Sequence, residues 1–144
     1  MPDLRPARVI VAQDGDFSLA LMQRIAREEW PNSPNRVTYT IDSNRVLELV
    51  TAEGVDLVIS GQGFSGVLER GTKLFRRIKE RRPETAIVRY SSLEDPDQNL
   101  LGHIPKPKIP AQVAVRLATV ADLRELLTNR GRLKERFPEI TWYF

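Results

Sequence analysis

Five short runs of apolar and β-branched residues recur along the chain, and between them the apolar spacing turns helical. The runs are Arg8–Gln13 (RVIVAQ), Arg36–Ile41 (RVTYTI), Val55–Ser60 (VDLVIS), Thr85–Tyr90 (TAIVRY) and the short, proline-bearing Gly102–Pro107 (GHIPKP). Near-continuous apolar strands alternating with helices fit a parallel sheet covered on both faces, because strands buried on both sides have no polar face to show. The first helix is predicted from Phe17, Leu21 and Ile25, with Leu19, Met22 and Ala26 widening the stripe up to Trp30, and Pro31–Asn35 (PNSPN) stops it. Asp42 or Ser43 caps a second helix carrying Val46, Leu49 and Val50, closed by Gly54. Leu74, Phe75 and Ile78 mark a third, ending near Pro83.

Between Ser92 and Leu101 the polar composition and Pro96 support a short, irregular helix at best. From Pro110 onward a single long helix is predicted, with Val113, Leu117, Val120, Leu123 and Leu127 as its buried stripe and Gly131 as its break. The expected fold is therefore α/β, a flavodoxin-like doubly wound parallel sheet of order 2-1-3-4-5 with helices on both faces. One domain over residues 1–129 is followed by a basic and aromatic C-terminal extension, residues 130–144.

Composition removes several chemistries. The 144 residues include no cysteine, so thiolate metal sites, iron–sulfur clusters and cysteine nucleophiles are excluded. The one histidine, His103, cannot build a multi-histidine metal centre. No apolar run approaches the roughly 20 residues that span a bilayer, and the opening MPDLRPAR lacks the apolar core of a signal peptide. A cytoplasmic protein without membrane contact is expected. Residues 1–72 carry 7 Lys/Arg against 10 Asp/Glu, and residues 73–144 carry 15 against 9. The basic patches at Arg76–Arg82 and Arg130–Arg136 also contain glutamates, and the first has no interleaved aromatic, which argues for solvated helix faces and against nucleic acid.

In an open α/β sheet the site lies beyond the carboxyl ends of the strands. There the sequence places Gln13 and Asp14, Asp42, Gly61, Ser91 and Lys106. The runs VDLVIS and GTKLFRRIK, the hydroxyl Ser91 after the fourth strand and the pair Lys106-Pro107 after the fifth resemble the receiver domain of bacterial response regulators over roughly residues 6–129. Receivers hold magnesium on an acidic pair after the first strand and accept a phosphoryl group on an aspartate ending the third. Here the pair falls on Ala12 and Gln13, with Asp14 beside it, and the acceptor position falls on Gly61, which has no oxygen to phosphorylate. The resemblance is thus to a degenerate receiver, or pseudo-receiver, whose residual pocket is Gln13, Asp14, Gly61, Ser91 and Lys106. Ser91 and Lys106 also have a plain structural reading: Ser91 caps the following segment, and Lys106 pairs with Asp14.

A second motif competes. Gly61–Gly66 (GQGFSG) matches G-x-G-x-x-G between a strand and a helix, so the amides around Gly61, Gly63 and Gly66 could cradle an anion. Against a dinucleotide stand its place after the third strand, the missing acidic residue after the fourth, and Gly71, expected to interrupt the next helix. Asp14 and Asp16 would repel a flavin phosphate, no P-loop is present, and no nucleophile–base arrangement is visible. No enzyme activity and no cofactor are expected.

The resemblance implies a signalling domain that works by binding another signalling or regulatory protein, or a second copy of itself, without aspartyl phosphorylation. The alternatives are a small-molecule or nucleotide binder using the glycine-rich loop, and a receiver with a non-standard phosphorylation route. The implied docking face surrounds Tyr90, His103 and Lys106. His103 has the plainer reading of a half-buried strand residue. Trp142, Tyr143 and Phe144 would leave an apolar patch unless covered, so the tail is expected either to contact a partner or to pack on its own sheet edge or first helix.

Overall fold

Each of the five apolar runs becomes a strand, and all five pair in parallel. The computed structural model describes residues 3, 5–63 and 69–144. In chain order the elements are β1 (Arg8–Ala12), α1 (Asp16–Glu29), β2 (Arg36–Thr40), α2 (Ser43–Glu53), β3 (Leu57–Ser60), α3 (Glu69–Arg81), β4 (Ala86–Ser91), β5 (Gly102–Pro105), α4 (Ala111–Thr119), α5 (Leu123–Thr128), α6 (Arg130–Arg136) and β6 (Thr141–Trp142). The sheet order is β2-β1-β3-β4-β5-β6. The first five strands follow the expected flavodoxin-like order, and a sixth, not expected as a strand, pairs antiparallel with β5.

Strand side chains alternate between faces, so the sheet divides the interior into two cores. One holds Val9, Val11, Leu57, Ile59, Val88, Tyr90 and Ile104 under α1, α4, α5 and α6. The other holds Ile10, Val58 and Ile87 under α2 and α3. The caps follow expectation at α2. The Asp42 carboxylate accepts from the Asn44 amide at 2.9 Å, and Gly54, at φ 72°, ends the helix in a conformation that side chains resist.

The structure revises the helical reading at several places. On α1 the buried row is Leu19, Met22 and Ile25, while Phe17 is 85 % and Leu21 41 % exposed. A step of two residues turns about 200° around a helix, so Phe17 and Leu21 lie opposite Leu19. No helix forms between β4 and β5. The long final helix is broken at Val120, whose ψ of 130° is extended, into α4 and α5. Asn35 secures that break from the loop before β2. Its amide donates to the carbonyls of Ala118 (3.0 Å) and Val120 (2.8 Å), and its oxygen accepts from the Ala7 amide at 3.1 Å.

Gly131 does not break a helix; it lies in α6, and the interruption falls at Asn129, whose side chain accepts from the Arg132 amide. Nor does Gly71 interrupt α3: it sits inside that helix, where a Cβ would come within 2.7 Å of Gln62 Cα. From residues 130–144, Leu133, Phe137 and Ile140 join the first core.

Candidate functional site

β1, β3, β4 and β5 end side by side, which brings the expected pocket residues to one rim. Gln13 is 3 % exposed, and its carboxamide lies over Gly61: a Cβ at position 61 would sit 3.5 Å from Gln13 Nε2. The carboxamide donates to the Ala12 carbonyl at 3.0 Å and the Tyr90 carbonyl at 3.4 Å. Its oxygen accepts from the Ser18 hydroxyl at 3.4 Å, and that hydroxyl accepts from Lys106 Nζ at 3.2 Å. Lys106 also lies 5.2 Å from the centre of the Tyr90 ring. The lysine charge is therefore led through Ser18 and Gln13 to two main-chain carbonyls. An aspartate at position 61 would reach into the space the carboxamide occupies.

Ser91 accepts from the Leu93 amide at 3.0 Å and so caps the segment after β4. The Lys106–Pro107 peptide is cis. Ser18 is the residue of this network that sequence reasoning missed; its hydroxyl at the start of α1, facing a lysine after β5, is the signal that was there to find.

The glycine-rich loop is not a free amide cradle at its first glycine. The Gly61 amide donates to the Ala12 carbonyl at 2.8 Å, extending the β1–β3 ladder. Gly63 is half-buried, and Gly66 lies outside the described residues. Among the described residues no three His, Asp or Glu side chains come together in a way that could hold a metal ion, and no helix is long and apolar enough to cross a membrane.

The expected docking trio does not share a face. Tyr90 is 5 % exposed and points into the first core, paired in register with Ile104. His103 is 2 % exposed and points to the opposite side of the sheet, beside Arg89, its register partner. It is thus fully buried, where a half-buried strand residue was expected. Arg89 is 1 % exposed. Its guanidinium donates to His103 Nδ1 (3.0 Å), to Gln62 Oε1 (3.3 Å) and to the Asp95 carbonyl (2.6 Å), and the Tyr143 hydroxyl adds a further contact.

Arginine only donates, so His103 Nδ1 must carry the lone pair and Nε2 the proton. That Nε2 is buried without a hydrogen-bond partner among the described residues. Burial, then the neighbouring Arg89 charge, holds the His103 pKa down at about 4. The signal for this cluster was an arginine inside an otherwise apolar strand, in the run TAIVRY.

The tail packs on its own chain. Trp142 Nε1 donates to the Phe137 carbonyl at 3.0 Å, and the Tyr143 amide donates to the Leu101 carbonyl at 3.0 Å. Gly102 is required here, because a Cβ would come within 2.7 Å of the Trp142 ring. Lys134 and Arg130 lie 5.6 and 5.5 Å from the Phe144 ring centre, and Tyr143 and Phe144 stay 37 % and 38 % exposed.

No family model matches the sequence, and no curated protein is similar to it. Solved structures are. A receiver domain (CheY-like) from Methanospirillum hungatei JF-1 superposes at TM-score 0.64 and 15 % identity, covering 89 % of this chain and 98 % of its own. A response regulator receiver domain from Clostridium thermocellum gives 0.63 at 20 % identity, over 88 % and 98 %. The signal receiver domain of an HD domain-containing protein from Pseudomonas fluorescens Pf-5 gives 0.59 at 20 % identity, over 93 % and 98 %. The chain has the receiver fold, extended by one antiparallel strand at its edge.

Proposed function

We propose that this chain is a pseudo-receiver: a signalling or regulatory domain that acts by binding another protein without being phosphorylated on aspartate. The observation that carries the reading is the Gln13 carboxamide seated over Gly61, with its hydrogen bonds closed onto Ser18, Ala12 and Tyr90. Chemistry at this rim would need an oxygen nucleophile and a divalent ion held on carboxylates. Position 61 has no side chain, and position 13 supplies a neutral amide. A phosphorylated receiver shifts between two arrangements because the phosphoryl group binds one better than the other. Here the Lys106–Ser18–Gln13 chain supplies a fixed internal substitute, so the binding surface is set once the chain folds.

The docking surface we assign to the carboxyl-end rim, where Lys106 is half-buried and Phe17 and Ile41 are 85 % and 46 % exposed. The glycine-rich-loop reading has less support, since the first amide of that loop is already bonded.

The test is incubation of the full chain with acetyl phosphate and magnesium, followed by intact mass and by affinity capture from the native cell. The expected outcome is an unchanged mass and the same partner recovered with and without the donor. A stoichiometric gain of one phosphoryl group, lost on Asp14→Asn, would overturn the proposal.

A further inference from the structure

A cavity of about 470 Å³ opens at the amino ends of β3, β4 and β5, the opposite end of the sheet from the rim described above. Its walls come from Asp56 before β3, Ala86 at the start of β4 and Leu101 before β5, together with the end of α3 and parts of α5 and α6. Leu100, Leu127 and Ala86 give it apolar surface, and the Tyr143 ring stands at one side. The volume is that of a small-molecule pocket.

Its lining carries three cations, Lys79, Arg124 and Arg130, and three carboxylates, Asp3, Asp56 and Glu84, unevenly paired. Among the lining cations, Arg124 is already paired with Asp3 (3.2 Å) and Asp56 (3.7 Å). Lys79 and Arg130 have no carboxylate within 4.0 Å among the described residues. Lys79 Nζ is pinned by the main-chain carbonyls of Pro83 (3.2 Å) and Thr85, which leaves one of its three N–H donors free. The Arg130 guanidinium lies over the Phe144 ring. The remaining lining carboxylate, Glu84, is exposed. Burial, then repulsion from Arg130, lowers the Lys79 pKa, with the attraction of Glu84 the weakest influence. Two cations from separate helices thus face one recess with no carboxylate in direct contact with either among the described residues.

We propose that this cleft binds a small phosphate monoester, its phosphate bridging Lys79 and Arg130 and its organic part resting on Leu100 and Leu127. A phosphate monoester carries a charge near −2 and three acceptor oxygens, enough to meet both cations at once. A single carboxylate would meet one. The site is independent of the pseudo-receiver reading, because it shares no residue with the Gln13 rim.

The experiment is calorimetric titration of the full chain with inorganic phosphate, AMP and adenosine, at low and at physiological salt. Binding of AMP with weaker binding of phosphate, and none of adenosine, is the expected result. Arg130→Gln, at an exposed side chain whose contact among the described residues is the Phe144 ring, should weaken AMP by about tenfold, the loss of one charge-assisted bond. Lys79→Gln should weaken it at least as much, and Gln13→Ala should leave it unchanged. Binding of phosphate alone with no gain for AMP, indicating an adventitious ion only, would overturn the proposal. So would silence of all three probes up to about 10 mM, or AMP binding that survives Arg130→Gln but is lost in Gln13→Ala.

Discussion

Acid should destabilise this protein well before its carboxylates titrate, because its one histidine is buried beside an arginine. His103 has a folded-state pKa of about 4, against about 6.5 in an unfolded chain. Between those values the unfolded state holds a proton that the folded state refuses, so stability rises with pH. The contribution is complete above the unfolded value, begins to fall as pH drops through about 6.5, and is lost below the folded value. Linkage over these two values gives a loss of about 1.8 kcal/mol between pH 7 and pH 5, or roughly 4–7 °C in Tm for a domain of this size.

The structural reason is specific. Arg89 donates to Nδ1, the atom a proton would occupy, and no carboxylate stands among the groups bonded to the pair. The assay is urea unfolding at fixed ionic strength from pH 7 to pH 5, on the parent chain and on His103→Gln, whose amide oxygen can still accept from Arg89. With a single histidine in the chain, nothing else but the amino terminus titrates strongly in that window. The parent should lose stability on this slope and the variant should stay nearly flat. Equal slopes for both would show that His103 is not the source of the pH dependence.

Asn35→Ala removes three hydrogen bonds that join the start of β1 to the α4–α5 break, taking the partner from the Ala118 carbonyl and the Ala7 amide, while the Val120 carbonyl keeps the Leu123 amide. The expected cost is about 2–4 kcal/mol, read as a lower urea midpoint with an unchanged m-value. Gly102→Ala drives a Cβ into the Trp142 ring and should cost about 1–3 kcal/mol by overpacking, while quenching of Trp142 fluorescence by iodide increases. Deleting residues 138–144 should lower the melting temperature at constant monomer mass, since Ile140 and Trp142 leave the core. A fall from dimer to monomer mass would instead make the tail an interface.

The strands were legible in the sequence because burial on both faces forces unbroken apolar runs, which few other elements require. Gly61 and Gln13 were legible for a related reason: the residue that ends a strand run in a doubly wound sheet is placed by the run itself. The break at Val120 was not, because the apolar period of α4 continues through it, and the residue that holds it open, Asn35, lies 85 positions away in the chain. The stripe on α1 failed at Phe17 and Leu21 because two overlapping apolar rows fit the same segment, and only the position of the sheet chooses between them. β6 is two residues long and carries no periodicity to read. The pairing of Arg89 with His103 depends on the register of β4 against β5, a relation that neither strand encodes alone.

In the pseudo-receiver reading proposed above, Gln13 closes the carboxyl-end rim against a phosphoryl group. That closure is tested most directly by titrating the isotopically labelled chain with magnesium and beryllium trifluoride, a phosphoryl mimic, while following the amide resonances of Gln13, Gly61, Ser91 and Lys106 and the Gln13 side-chain amide. These signals are expected to stay in place at saturating mimic, with the Gln13 carboxamide protons still protected by their carbonyl acceptors. Saturable, magnesium-dependent shifts centred on Gly61, with release of the Gln13 carboxamide, would contradict it.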